Sequence, residues 1–242
     1  MHGWQFDHSG QCVEVPCTSV HSAQHLDTWQ VQEKDGGLWL WWPPHANPDW
    51  DPPSIPEHAD PEWTRLTNTN NRWVVRTIPQ MIQENAADIH HLQQLHGFAE
   101  PRFTDFGPRG SVFVSNFTHL RHYEEAGITE PVTVSTEIEI FALGASKQNS
   151  VAAETIESTT VCTTTPVDSN HVDLRMTSAV KRNFDHTTTQ DILDIVLDTT
   201  KTTVEEDLPL WESRDYSVRN FHSGDKSIAS FQQWAKQFYV GD

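Results

Sequence analysis

Four stretches rich in Thr and Val, near Ser111 to Thr118, Val132 to Leu143, Ala153 to Thr164 and His171 to Lys181, alternate polar with apolar residues. A period of two sends successive side chains to opposite faces, so these read as half-buried antiparallel strands. Pro166 to Asn170 is the turn joining two of them. Arg72 to Ile78 reads as a further strand. Pro79 opens a helical stretch from Gln80 to about Leu95 that Gly97 ends. A second, long helix is expected from Thr188 as N-cap through Ile192, Leu193, Val196 and Leu197 to near Asp207. A third covers Lys226 to Tyr239, with Ile228, Phe231, Trp234 and Phe238 on roughly one side. The order of these elements predicts an α+β fold.

The first sixty residues are different in kind. Trp4 to Phe6, a turn at Asp7 to Gly10 and Cys12 to Val15 look like a hairpin, and Leu38 to Trp42 is a second strand-like run. From Pro43 to Pro61 there are seven prolines among several acids, which no regular element tolerates. A domain boundary is therefore expected near residue 60, dividing 1–60 from 61–242.

The chain carries 16 basic and 34 acidic residues, a formal charge of -18, which argues against nucleic acid as a partner. Ten Trp and eleven Phe supply a core that an acidic disordered chain would lack. Cys12, Cys17 and Cys162 are too few and too irregularly spaced for a disulfide framework or a four-cysteine zinc site, and they suit a reducing compartment. No apolar run reaches the length of about 18 residues that a membrane-spanning helix requires.

The densest chemical cluster is Glu84-Asn85-x-x-Asp88-x-His90-His91-x-x-x-x-His96-Gly97. Neutral imidazoles with one carboxylate are what a ferrous ion needs if sites are to stay open for dioxygen. Residues five apart lie about 140° apart on an ideal helix, so His91 and His96 converge only if the helix bulges or ends between them. Two further features stand out: His2-Gly3-Trp4-Gln5-Phe6-Asp7, and the acidic trio Glu205-Glu206-Asp207 ahead of Trp211. Acids at a helix C-terminus oppose the macrodipole, and a buried metal would compensate them.

In that order along one chain, the three features resemble the Rieske-type non-haem iron oxygenases. His2 to Asp7 matches the second half of that family's iron-sulfur motif. Asn85, Asp88, His91 and His96 match its catalytic motif, and Asp207 followed by Trp211 matches its distant third ligand, with Glu206 as the alternative. Within the family the chain is most similar to the Neverland-type cholesterol 7-desaturases, then to bacterial 3-ketosteroid 9α-hydroxylases. Thr164 to Val167, Asp207 to Tyr216 and Ile228 to Tyr239 also carry that likeness.

The resemblance implies an incomplete Rieske domain followed by a helix-grip-like catalytic domain, a curved antiparallel sheet with a long C-terminal helix. It implies mononuclear Fe(II) on His91, His96 and Asp207, with Asn85 and Asp88 as catalytic residues. Asp88 would connect that iron to a Rieske histidine of the next subunit in a homotrimer. It implies a [2Fe-2S] cluster in the complete protein, at which His2 stands, and NAD(P)H electrons delivered by a reductase or ferredoxin. The substrate would be a sterol and the reaction cholesterol to 7-dehydrocholesterol with O2, in steroid hormone biosynthesis, bound in a pocket between sheet and long helix. A membrane anchor would belong to the complete protein, and this chain shows none.

A Rieske cluster needs two cysteines and two histidines, and Met1 falls inside the second Cys-His pair. The chain therefore reads as a fragment of a longer protein. A cluster-less lipid-binding relative, and an oxygenase acting on another ring system, remain the alternatives.

Overall fold

Alternation and turn chemistry shape the chain from its first strands. A computed structural model of the protein describes residues 3–16, 24–42, 50–123, 128–214, 221–222 and 224–239. Two compact units form, Met1–Ser54 and Ile55–Asp242. In the smaller unit, β1 (Gln5–Phe6) pairs antiparallel with β2 (Cys12–Glu14) in the expected hairpin. The Asp7 carboxylate holds its turn, accepting from the Ser9 and Gln11 backbone N–H groups and from the Ser9 hydroxyl. A second hairpin joins β3 (Val31–Lys34) to β4 (Gly37–Leu40). Asp35 and Gly36 both have positive φ, 50° and 77°, which is the two-residue turn that matches strand twist. β3 was not expected, because Val-Gln-Glu-Lys contains a single apolar residue.

The larger unit is built on one seven-stranded antiparallel sheet: β5 (Arg72–Val75), β6 (Ala99–Arg109), β7 (Val112–Tyr123), β8 (Ile128–Phe141), β9 (Ala145–Ala152), β10 (Ile156–Pro166) and β11 (Val172–Val180). Their order across the sheet is β5-β11-β10-β9-β8-β7-β6. Sequence patterning misses two of these strands for physical reasons. β6 contains Pro101, Pro108 and Gly107, which a strand tolerates at an edge, and its pairing with β7 is irregular around Pro101. β9 is polar on both faces. Ser146, Gln148 and Ser150 face a cavity, while Lys147 is buried against Glu57 at 2.8 Å.

The expected single helix from Gln80 to Leu95 is in fact two. α1 (Pro79–Glu84) passes into a 3₁₀ turn at Asn85–Ala87, and α2 (Ile89–Gln94) starts afresh. The break is at Asp88, whose φ and ψ of -105° and 85° are not helical, and whose Oδ1 accepts from the His91 N–H at 3.0 Å. An Asp that caps a new helix competes with continuing the old one. Gly97, at φ 66°, lies just beyond the end of α2.

α3 (His186–Ser213) starts on Asp185 rather than Thr188, because Asp185 accepts from the Thr188 N–H at 3.1 Å and leaves Thr188 in the first turn. It also outruns the expected end near Asp207, continuing through Pro209 to Ser213. The acidic trio therefore lies inside the helix, and the macrodipole argument for it does not apply. α4 (Lys226–Ala235) ends before Tyr239 and tightens into a 3₁₀ turn at Lys236–Phe238.

The core lies between the sheet and these helices. Val75, Val172 and Leu174 pack with Met81, Ile82, Val204 and Trp211, and Phe113, Phe117 and Ile140 pack with Ala87, Phe231 and Trp234. Val180 meets Leu193 and Leu197 at the start of α3. Among the described residues no helix is long and apolar enough to cross a membrane.

Candidate metal centre

The break at Asp88 and the end of α2 together solve the five-residue spacing. His91 lies on α2, while His96 follows its last turn and can swing back toward it. Their rings meet edge to face at 4.7 Å between centroids. Asp207, buried on α3, completes the group: His91 Nε2 is 2.8 Å and His96 Nε2 3.3 Å from Asp207 Oδ1, and the two Nε2 atoms are 3.0 Å apart. Bonds of about 2.1 Å that meet near a right angle separate their donor atoms by about 3.0 Å. Asp207 Oδ1 is buried and, among the described residues, has no partner besides these two close imidazole nitrogens. Two imidazole nitrogens converging with one buried carboxylate oxygen fit a divalent metal, and two imidazoles with a carboxylate on one side fit ferrous iron.

Neighbouring groups aim these donors. Asn85 donates from Nδ2 to Asp207 Oδ2 at 2.8 Å, which turns Oδ1 toward the histidines. Trp211 Nε1 donates to Asn85 Oδ1 at 3.2 Å and holds the amide in that orientation. Glu206 Oε2 lies 2.8 Å from His96 Nδ1, on the far side of the ring from Nε2. Glu206 thus meets the back of a candidate ligand, and Asp207 faces the site. Glu205 points elsewhere and pairs with Lys201 at 2.6 Å. Asp88 is occupied with capping α2. His2 and Cys17 lie outside the described residues.

Burial works against charge on both His96 and Asp207, but their mutual contacts win. His96 is held above the usual imidazole range by Asp207 and Glu206, and Asp207 below the usual carboxylate range by His91 and His96. Cys162 is buried beside Gln83, and burial pushes its thiol up to about 12, so it offers no thiolate. We expect Trp211→Phe, which removes the hydrogen bond to Asn85 together with part of the buried indole's packing, to weaken iron(II) binding about tenfold. Metal titration of the apo chain checks this, and unchanged affinity would show that Asn85 needs no support.

These donors open onto a cavity of about 370 Å³ between α2, α3 and the concave side of the sheet. That volume is in the range of small-molecule sites. Leu92, Phe98, Phe117 and Ile138 line it alongside His91 and His96, and Ile156, Ile192, Ile195 and Val196 line it too. A polar seam of Thr136, Ser150, Gln148 and Thr160 adds to this mainly apolar wall. Ile192 lines the cavity and packs against the core, while Leu193 belongs to the core. Sequence reading missed His119 in the cavity, because it follows the expected end of its strand at Thr118. Its alternation with Phe117 and Arg121 was the available signal.

Residues 40–239 match the family model described as 3-ketosteroid 9alpha-hydroxylase C-terminal domain. The cholesterol 7-desaturase of Caenorhabditis elegans is 36% identical over 106 residues, covering 41% of this chain and 24% of that protein. Cholesterol 7-desaturase nvd 1 of Ciona intestinalis is 23% identical over 266 aligned positions, 99% of this chain and 54% of that protein. The chain thus spans about half the length, or less, of these relatives. The crystal structure of dicamba monooxygenase bound to dicamba superposes with a TM-score of 0.68 at 18% identity, over 98% of this chain and 77% of that one. At that identity the likeness concerns the fold.

Proposed function

This chain belongs to the 3-ketosteroid 9alpha-hydroxylase C-terminal domain family, and from that premise we propose that it is the catalytic part of a sterol-acting Rieske oxygenase. The observation that carries the reading is the trio His91, His96 and Asp207, with donor atoms 2.8 to 3.3 Å apart, at the wall of an apolar cavity. The reaction we infer is desaturation of cholesterol. Two hydrogens leave the sterol B ring as a carbon-carbon double bond forms, and O2, two electrons and two protons complete the balance to two waters. In the complete protein a [2Fe-2S] cluster would supply electrons from a reductase, with His2 as one of its ligands and Asp88 as the residue connecting it to the iron site. The homotrimer and a membrane anchor belong to the same reading.

Ferrous iron on His91, His96 and Asp207 would supply the activation of O2. The chain's own residues prepare that chemistry. Asn85 and Trp211 keep Asp207 Oδ1 turned toward the imidazoles, and Glu206 takes the Nδ1 proton of His96 as a hydrogen bond, leaving Nε2 free as a donor to metal. Phe98, Phe117 and Leu92 exclude water beside the trio and offer only apolar contact to a ring system.

Incubating the full-length protein with cholesterol, O2 and a reductase system should yield 7-dehydrocholesterol. Iron bound but a hydroxylated product would move the reaction to the ketosteroid-hydroxylase type. Sterol bound with no iron on the chain would favour a non-catalytic lipid carrier.

A further inference from the structure

His119 is buried, at 4% exposure, and lines the cavity. Phe98 stacks on its ring at 4.1 Å with the planes 7° apart, and Phe117 tilts against it at 5.7 Å. Its Nδ1 is sealed from solvent and has no hydrogen-bond partner. Buried imidazole nitrogens are seldom left in that state without a reason. Most other polar groups of the wall are already paired. Thr136 and Gln148 both meet Ser150, Thr160 meets Ser178, Gln83 meets Thr164, and Thr200 meets the Val196 carbonyl.

We propose that His119 is a specificity residue, pairing through its imidazole with an uncharged hydroxyl on an otherwise apolar ligand in the cavity. This rests on the reading of the cavity as a sterol site, for which the hydroxyl is that on the A ring. Burial, with Arg121 nearby adding to it, pushes the imidazole down to about 4, so the ring is neutral at physiological pH. A neutral imidazole offers one donor and one acceptor and suits a hydroxyl, whereas a carboxylate calls for a cation. The aromatic rings on its faces leave the ring edge as the route to a ligand.

The test compares cholesterol with cholest-5-ene, which differs only in carrying hydrogen in place of the 3-hydroxyl. Binding to the 242-residue chain can be followed by quenching of tryptophan fluorescence, since Trp211 lines the cavity. The wild-type chain should bind cholesterol about tenfold more tightly than the deoxy compound, the worth of one well-made buried hydrogen bond. His119→Phe should bind both compounds alike, near the wild-type affinity for cholest-5-ene, and His119→Leu carries the same expectation in a smaller side chain. His119→Asn should keep part of the preference. A preference that survives in both apolar variants would place the hydroxyl elsewhere, along the Thr136–Ser150 seam, and overturn the proposal. Equal binding by the wild type would overturn it as well. Failure to bind either compound would instead remove the sterol reading of the cavity.

Discussion

Asp207→Ala should strip the chain of iron. Wild-type protein reconstituted anaerobically with iron(II) is expected to hold close to one iron per chain, and the variant close to none. Losing a group that merely orients a ligand costs about 10- to 100-fold in metal affinity, so losing the ligand itself costs more. Product formation by the full-length protein should fall with the metal. Glu206→Gln is the informative companion. Among the described residues its carboxylate meets His96 Nδ1, so that variant should retain iron with affinity reduced about tenfold. Iron analysis of the two variants side by side chooses between the adjacent acids. Wild-type iron content in Asp207→Ala would refute the trio, and loss confined to Glu206→Gln would transfer the third ligand to Glu206. Thermal melts give a second readout, because a metal that binds only the folded chain raises its melting temperature. That rise should be present in wild type and absent without Asp207.

The second large effect concerns stability. Glu84, at the end of α1, is 1% exposed. Arg214, just past α3, donates to its Oε1 at 2.7 Å, and Gln232 on α4 donates to its Oε2 at 2.9 Å. Burial holds the Glu84 carboxyl above the usual range, with Arg214 and Gln232 opposing it. Arg214→Met would leave a buried carboxylate with one amide donor, and breaking such pairs costs about 3–5 kcal/mol. Arg214 is itself partly exposed, so we expect about 2–3 kcal/mol at pH 7, within reach of urea unfolding. The sign of the pH dependence follows from the raised value. Between the unfolded pKa and the higher folded one, the folded chain holds more protons than the unfolded chain. Stability therefore declines as pH rises through that window, and the loss in Arg214→Met should shrink on acidification toward about pH 4.5. Adding Glu84→Gln to Arg214→Met should recover most of the loss and remove its pH dependence. A loss under about 0.5 kcal/mol, equal at acid and neutral pH, would show that this charge needs no partner.

Four residues of the candidate site stood out because they fall within twelve positions, Asn85, Asp88, His91 and His96, whereas Asp207, far along the chain, was picked out only by the resemblance. The match to the family model bears out the resemblance to Rieske-type oxygenases. The antiparallel sheet was legible where Thr and Val alternate with polar residues. It was hidden where strand signals fail for good reasons, in the proline-bearing edge strand β6 and in β9, polar on both faces. Helix boundaries failed where two good caps compete. Asp88 interrupts what the apolar period presents as one helix, and Asp185 takes the cap expected of Thr188. His119 was missed because the alternation that carries it runs past the expected end of its strand, and the contacts of Glu84 stayed out of sight because they join segments far apart along the chain.

The two sides of the candidate metal centre are anchored unequally. α2, which carries His91 and leads to His96, has six residues and buries none of them. α3, which carries Asp207, has 28 residues and buries Leu193, Leu197, Val204 and Trp211 among others. Opening α2 away from the sheet exposes little apolar surface, and such segments occupy the low end of a protein's range of local opening free energies. The imidazoles are thus carried by the less deeply buried element and the carboxylate by the more deeply buried one. A bound ion would act as a clasp across this seam, joining the loose half of the cavity wall to the firm one, so that loss of metal would also unlatch the side of the chamber through which a bulky ligand could pass.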